Sequence, residues 1–335
     1  MKGRALQLLG RRELAVNTVD VPDPHPGFVR CRVLTAGVCG TDLHLWKGRD
    51  DLLLPHVLGH DFCAAVDALG DGVDGVPIGQ RITANPSNYC GRCTACWRGL
   101  SNLCQSGRVM GMQEPGCFQD YIFLRADRLV SVADTVSNVA ASVLEPVAVA
   151  LHVLDRVKPI VPAGKAVTVG AGPIGLATGR LLSATGYEWV AVEPLESRRA
   201  LAQAWGARAA FAPADDEALS ELLGDDPAVI VVCVAGPSIA EWTTQVAPPG
   251  SAIAVVGNSP SGYPGSPVML KELSVVGIRG GTRYDDAVRI AAQGIVDLEG
   301  LNIEVHPLED APAVFDQLEA ASDSAMRVAL TLEED

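Results

Sequence analysis

Between residues 165 and 175 the chain reads Lys165-Ala166-Val167-Thr168-Val169-Gly170-Ala171-Gly172-Pro173-Ile174-Gly175, a β-branched strand running into a G-x-G-x-x-G turn. Glycines are common, and this spacing alone is weak. Its surroundings give it weight. The turn opens an apolar-periodic helix reaching about Thr185, a second strand follows at Trp189–Val192, and Glu193 closes that strand 23 positions after Gly170. In such a βαβ unit Gly170 permits the turn, Gly172 lets a pyrophosphate approach the backbone, and Gly175 lets helix and strand pack closely. The helix start at Pro173 and Ile174 then offers its N-terminal partial charge to the phosphates.

Glu193 is placed to accept hydrogen bonds from the adenosine ribose, where it would repel a 2′-phosphate, so NAD is expected as cofactor. Arg198 and Arg199 keep NADP open, since a nearby arginine can neutralise that phosphate. The other reading puts both on the exposed face of a helix over 197–205. Working outward, further strands are expected at 229–234, 252–256 and 273–278, with helices at 217–223 and 239–246 between them. This alternation gives an α/β fold with a doubly wound parallel sheet of about six strands.

Upstream, residues 90–104 read Cys90-Gly91-Arg92-Cys93-Thr94-Ala95-Cys96-Trp97-Arg98-Gly99-Leu100-Ser101-Asn102-Leu103-Cys104. Three cysteines at intervals of three, with a fourth eight residues on, can wrap around one ion. Gly91 and Gly99 give the loop permissive dihedrals. Four thiolates complete a tetrahedron and leave no open position, so a structural zinc is expected at Cys90, Cys93, Cys96 and Cys104. A disulfide cluster, four unrelated thiols, or an iron–sulfur cluster are the other readings.

A second set of ligand types lies nearer the start, in Gly37-Val38-Cys39-Gly40-Thr41-Asp42-Leu43-His44 and Gly59-His60-Asp61. Each residue alone reads as ordinary core or surface. Together Cys39 and His60 offer one soft and one borderline ligand, with carboxylates nearby to add oxygen. Glu145 interrupts an apolar run, where a buried carboxylate needs a partner such as a metal. Three mixed ligands plus an open position are what a catalytic zinc needs.

With these motifs in this order, the chain resembles the zinc-containing medium-chain dehydrogenase/reductases of the alcohol dehydrogenase superfamily, in the polyol and threonine dehydrogenase branch. The resemblance runs nearly end to end. It implies a mainly β, GroES-like catalytic zinc domain over residues 1–148 and 283–335, and a Rossmann domain binding NAD over 149–282. It makes Cys39 and His60 ligands of a catalytic zinc, and Glu145 the acid used there as ligand or water partner. Asp61 stands where the family usually has Glu, one methylene longer. Thr41 would hydrogen-bond the reacting alcohol, and His44 would finish a proton path to solvent. Trp46 is a candidate for the substrate pocket.

The implied reaction is hydride transfer between NAD and a secondary alcohol of a polyol, sugar or cyclitol, or reduction of the matching ketone. The strings Glu193–Ala200 and Gly281–Val288 are similar to segments of aminocyclitol dehydrogenases such as the 2-deoxy-scyllo-inosamine enzymes. A threonine- or butanediol-type specificity, or a catalytically silent zinc-binding member, are the alternatives. Two zinc ions per chain and a homodimer or homotetramer are expected from kinship.

The bulk composition agrees. The chain has 335 residues, enough for two cores, and a net charge of −14 with no basic stripe for nucleic acid. No stretch reaches the roughly 18 apolar residues of a spanning helix, and no secretory signal is seen at Met1–Leu9. No membrane partner and a cytoplasmic location are therefore expected.

Overall fold

The computed structural model describes residues 1–48, 52–236, 238–257, 262–320 and 326–333. The chain divides into two compact units, Met1–Glu145 with Tyr284–Asp335, and Pro146–Arg283.

The first unit is built on strands. β1 (Lys2–Gly10), β2 (Glu13–Asp20), β3 (Phe28–Val38), a short helix α1 (Gly40–Trp46), β4 (His56–Val57), β5 (Asp61–Leu69) and β6 (Arg81–Ala84) come first. A small lobe follows, with β7 (Ser87–Asn88), α2 (Thr94–Trp97) and β8 (Arg108–Val109). Then come β9 (Tyr121–Arg125), β10 (Leu129–Ser131) and α3 (Asn138–Ala141). A three-stranded sheet has the order β2-β1-β4. Along β1 the buried Gly3, Ala5, Leu6 and Leu8 interleave with less buried residues, the alternation slipping at Ala5–Leu6. The core between elements holds Leu6, Val33, Phe62, Ile82, Phe118 and Phe315.

The apolar residues 139–153 fall on two helices, α3 and α4 (Glu145–Val157), broken at residues 142–144. Pro146 has no N–H and its ring clashes with the carbonyl four residues back, so a continuous helix cannot pass it, whereas the first turn of a new one accepts it.

The second unit alternates strand and helix: β11 (Lys165–Val169), α5 (Pro173–Ala184), β12 (Glu188–Val192), α6 (Glu196–Ala204), β13 (Ala209–Phe211), α7 (Asp216–Leu223), β14 (Ala228–Val232), α8 (Ile239–Val246), β15 (Ala252–Val255), α9 (Gly265–Leu270) and β16 (Ser274–Gly277). The sheet order is β13-β12-β11-β14-β15-β16, parallel at every pairing. Strand order reverses at β11, so a crevice opens at the strand carboxyl ends there. β14 is buried along its whole length, as a central parallel strand should be. The sequence had marked five of the six strands; β13 has three half-buried residues and too short a run to show a period.

The chain then returns to the first unit through α10 (Tyr284–Ala292), β17 (Ile303–Pro307), α11 (Ala311–Ala320) and β18 (Arg327–Thr331). β18 pairs with β3 and with β17, giving the larger sheet the order β10-β6-β5-β3-β18-β17, with β9 also on β3. Among the described residues no helix is long and apolar enough to cross a membrane.

Candidate active site and metal centres

The small lobe is tied at its base by the β7–β8 pair and turned inward by glycines. Gly91 and Gly99 have φ of 70° and 75°, in the left-handed region where a side chain would strain the backbone. The four sulfurs of Cys90, Cys93, Cys96 and Cys104 all lie within 4.8 Å of one another. Cys93 to Cys96 is 3.5 Å, Cys93 to Cys104 3.9 Å and Cys90 to Cys104 3.6 Å. Four sulfurs at about 2.3 Å from one zinc ion sit about 3.8 Å apart, whereas a disulfide needs about 2.05 Å. All nine cysteines are free, so the disulfide reading drops out and the cage has the size zinc requires. The backbone N–H of Arg92 and the Ser106 hydroxyl pull the Cys90 thiol down to about 6. Burial and the neighbouring Cys93 push Cys96 up to about 11. Sulfurs this close cannot all ionise without a cation between them.

The mixed set assembles elsewhere in the same unit. Cys39 is the N-cap of α1: its sulfur accepts the Thr41 N–H at 3.5 Å, and its own N–H donates to Asp42 at 2.8 Å, a capping box. Asp42 is fully buried and also accepts the Gly59 N–H at 3.1 Å, so one carboxylate joins the Cys39 turn to the Gly59-His60 turn. His60 Nδ1 faces Asp42 Oδ1 at 3.6 Å. Ligand atoms of Cys39, His60 and Asp61 lie within 4.8 Å of one another. Glu145 is not in that group.

Charge runs through the cluster. Burial works against a charged His60, yet Asp42 and Cys39 outweigh it and hold its pKa well above the usual value. Burial likewise raises the Cys39 thiol, but His60 and then Arg327 bring it below its ordinary range. Burial raises the Glu145 carboxyl, with His60 opposing. A soft sulfur, an imidazole and a carboxylate in one buried group suit zinc.

Some neighbours gave no signal in the sequence. Arg327 on β18 pairs with Asp61 Oδ2, and both side chains are almost wholly buried. The Tyr284 hydroxyl is buried with no hydrogen-bond partner, and the charges of Glu145 and Cys39 act on it after burial. Asp42 could have been found from the Cys39-x-x-Asp42 cap spacing. Arg327 and Tyr284 could not, because only strand register and chain return bring them here. Thr41 is half-buried beside Cys39, and His44 is exposed on the same helix. Trp46 is buried in the core instead, edge-on to Phe315 with ring centroids 5.7 Å apart. It closes the apolar side of α1 and is not a pocket residue.

In the second unit the three motif glycines differ. Gly170 has φ of 99°, and a Cβ there would meet Val234 at 2.6 Å. A Cβ on Gly175 would lie 1.9 Å from the Gly170 carbonyl oxygen, so strand–helix packing forbids one. At Gly172 nothing of the protein lies within 4 Å, so the need for glycine there is not internal. Pro173 and Ile174 begin α5 directly after it. Glu193 is 4% exposed, and its carboxylate accepts the N–H groups of Ala171 at 2.8 Å and Leu195 at 3.2 Å. It therefore staples the glycine turn, and keeps lone pairs to spare for a ribose hydroxyl. Arg199 donates to the carbonyls of Glu193 and Pro194, and both Arg198 and Arg199 are half-buried rather than on an exposed face. A cavity of about 540 Å³ lies at the strand carboxyl ends, lined by Gly170, Val192, Pro194, Pro213, Ile239 and Trp242. Open space at Gly172 and this cavity fit a dinucleotide.

Known proteins agree with both halves. A family model described as the alcohol dehydrogenase GroES-like domain matches residues 25–134, and one described as zinc-binding dehydrogenase matches residues 173–293. The 2-dehydro-3-deoxy-L-galactonate 5-dehydrogenase of Pseudoalteromonas atlantica is 31% identical over 325 residues, covering 93% of this chain and 94% of that one. A solved alcohol dehydrogenase (rspB) from Escherichia coli CFT073, complexed with NADH, superposes with a TM-score of 0.91 at 25% identity over 99% of both chains. A zinc-binding dehydrogenase from Sinorhizobium meliloti 1021, bound to NADP, gives 0.89 at 26% identity, again over 99% of both. Two family models in the expected order and a relative matched nearly end to end place this chain among the zinc-binding dehydrogenases of the alcohol dehydrogenase family.

Proposed function

We propose that the protein transfers a hydride between NAD and a secondary alcohol of a polyol, sugar or cyclitol-like molecule, with residues 1–148 and 283–335 carrying the chemistry and 149–282 the cofactor. The observation that carries the reading is the buried convergence of Cys39, His60 and Asp61 within 4.8 Å, in a member of this family. Cys39, His60 and Asp61 would hold a catalytic zinc, with Glu145 next to them, and Cys90, Cys93, Cys96 and Cys104 a structural one. When bound, the zinc lowers the pKa of an alcohol oxygen and the nicotinamide takes up the hydride. Asp42 orients His60 through the ring nitrogen that faces away from the metal ligands. Thr41 orients the substrate hydroxyl and accepts its proton, and His44, exposed on the same helix, returns the proton to solvent. Gly170, Gly172, Pro173, Ile174 and Gly175 cradle the pyrophosphate, and Glu193 takes the adenosine ribose.

NAD is favoured because Glu193 is buried against the turn and Arg199 is committed to two carbonyls. Arg198 is the other arginine on α6 and the one whose substitution tests the choice of cofactor. The buried hydroxyl of Tyr284, with no partner of its own beside Glu145, supports a substrate carrying more than one hydroxyl. The Pseudoalteromonas relative, named for a sugar-acid substrate, supports the same class. We further infer a cytoplasmic homodimer or homotetramer.

The test is a screen of polyols, cyclitols, sugar acids and amino alcohols against NAD and NADP, with zinc counted per chain. Turnover with NAD and two zinc ions bears the reading out. Threonine or butanediol as the only good substrate shifts it to that branch, and one zinc with no turnover leaves a structural metal only. A kinetic preference for NADP removes the Glu193 argument.

A further inference from the structure

We propose that Tyr284 determines substrate specificity: its hydroxyl takes a second substrate hydroxyl, on the carbon next to the one oxidised, so vicinal diols are preferred over simple alcohols. The proposal deepens the reading of the mixed group as the place where an alcohol reacts, and rests on it.

Tyr284 opens α10, and with Ala287 and Val288 it makes the buried face of that helix, at the spacing one face requires. The residue is 4% exposed, and its hydroxyl is buried with no hydrogen-bond partner among the described residues. The chain just ahead of it is pinned to α4. A Cβ on Gly281 would lie 2.5 Å from Ala148, and Arg283 donates to Asp155 at 2.9 Å. Glu145 is the first residue of that same helix. One helix therefore carries both the acid and the anchor of the segment leading into Tyr284.

Packing alone does not account for the hydroxyl. Phenylalanine has the same ring, and buried tyrosines ordinarily find a partner, because an unmade hydrogen bond in the interior costs free energy. Glu145 and Cys39 are near enough for their charges to act on the phenol. Cys39 in turn belongs to the group that would hold the reacting oxygen. A substrate oxygen taken by Tyr284 thus sits on a carbon close to the reacting one, and in a vicinal diol that is the neighbouring carbon. A phenol both donates and accepts, as an alcohol hydroxyl does, so the two match as neutral partners. An ammonium at the same place would add a desolvated charge to a buried site. A site with a buried donor set for one substrate hydroxyl rejects the analogue lacking it, because the donor is then left unpaired.

Tyr284→Phe in the zinc-loaded full chain is the test, since it removes the hydroxyl and keeps the ring. Having lost only an unpartnered group, the variant should melt no lower than wild type. The measurement is kcat/KM for a vicinal diol, for its analogue lacking the neighbouring hydroxyl, and for the matching vicinal amino alcohol. Wild type should favour the diol over its analogue by about 10- to 100-fold, and Tyr284→Phe should bring that ratio close to one. Calorimetric binding of the diol to the zinc- and NADH-loaded chain, where the alcohol has no hydride acceptor, should weaken by a similar factor. An equal loss for the diol and its analogue would overturn the proposal, because a merely structural role gives that result. So would an unchanged ratio, as expected of a hydroxyl satisfied by water alone, or a Tyr284-dependent preference for the amino alcohol. A wild type that oxidises none of the three with NAD or NADP would sink the alcohol reading and the proposal together, a different result from a ratio that does not move.

Discussion

The cysteine lobe draws all four sulfurs from residues 90–104, whereas the mixed group draws Cys39 from a helix cap, His60 and Asp61 from the start of β5, and its guanidinium partner from β18. In the lobe the groups are alike, and local turns bring them together. In the mixed group they differ, and sheet register brings them together. Local assembly suits a staple, because it forms wherever the loop is made and closes the ion off. Assembly by register suits chemistry, because elements from several strands leave room for a substrate among unlike groups.

The sharpest way to break this contrast is to remove one ligand from each. Cys39→Ala should lower turnover by about 10³-fold or more, roughly 4 kcal/mol of barrier, and bring zinc to one per chain with little change in melting. Turnover that survives it, with a proven substrate, would end the assignment. Cys104→Ser should do the reverse. Loss of the lobe metal costs stability at the upper end of single substitutions, about 4 kcal/mol, seen as a lower Tm, while the folded fraction keeps its KM for the alcohol. Equal loss of activity in both variants would erase the distinction between staple and centre.

Backbone substitutions probe the same contrast more gently. Gly37→Ala forces a methyl against the Ser142 carbonyl at the strand crossing, and should cost about 1–3 kcal/mol in denaturant unfolding. It should also loosen metal at the mixed group alone. Gly91→Ala meets open space but keeps φ near 70°, so the cost should be about 1 kcal/mol and fall on the lobe. Zinc counts by site, after partial chelation, distinguish the two.

What could be read in the sequence follows the same division. The lobe and the βαβ turn at Gly170 are contiguous, and their spacing states their geometry. The central strands announced themselves as apolar runs, although β13 was too short to do so. The contact of Asp42 with Gly59, the crossing from Asp61 to Arg327 and the return of Tyr284 depend on which strands lie side by side. No local pattern encodes that. Glu193 reads in the sequence as a ribose partner; what the structure adds is its hold on its own turn through Ala171 and Leu195.

The position of β18 also bears on how the molecule is made. Synthesis runs from the N-terminus, and strands β3 and β5 with Cys39, His60 and Asp61 emerge long before Arg327. The cysteine lobe closes a short loop and can capture its ion early. The Asp61–Arg327 pair must await a contact between residues 266 positions apart, the slow kind in folding. On the ribosome, then, the cysteine lobe can close before β18 has been made, whereas the Asp61–Arg327 pair forms only after it.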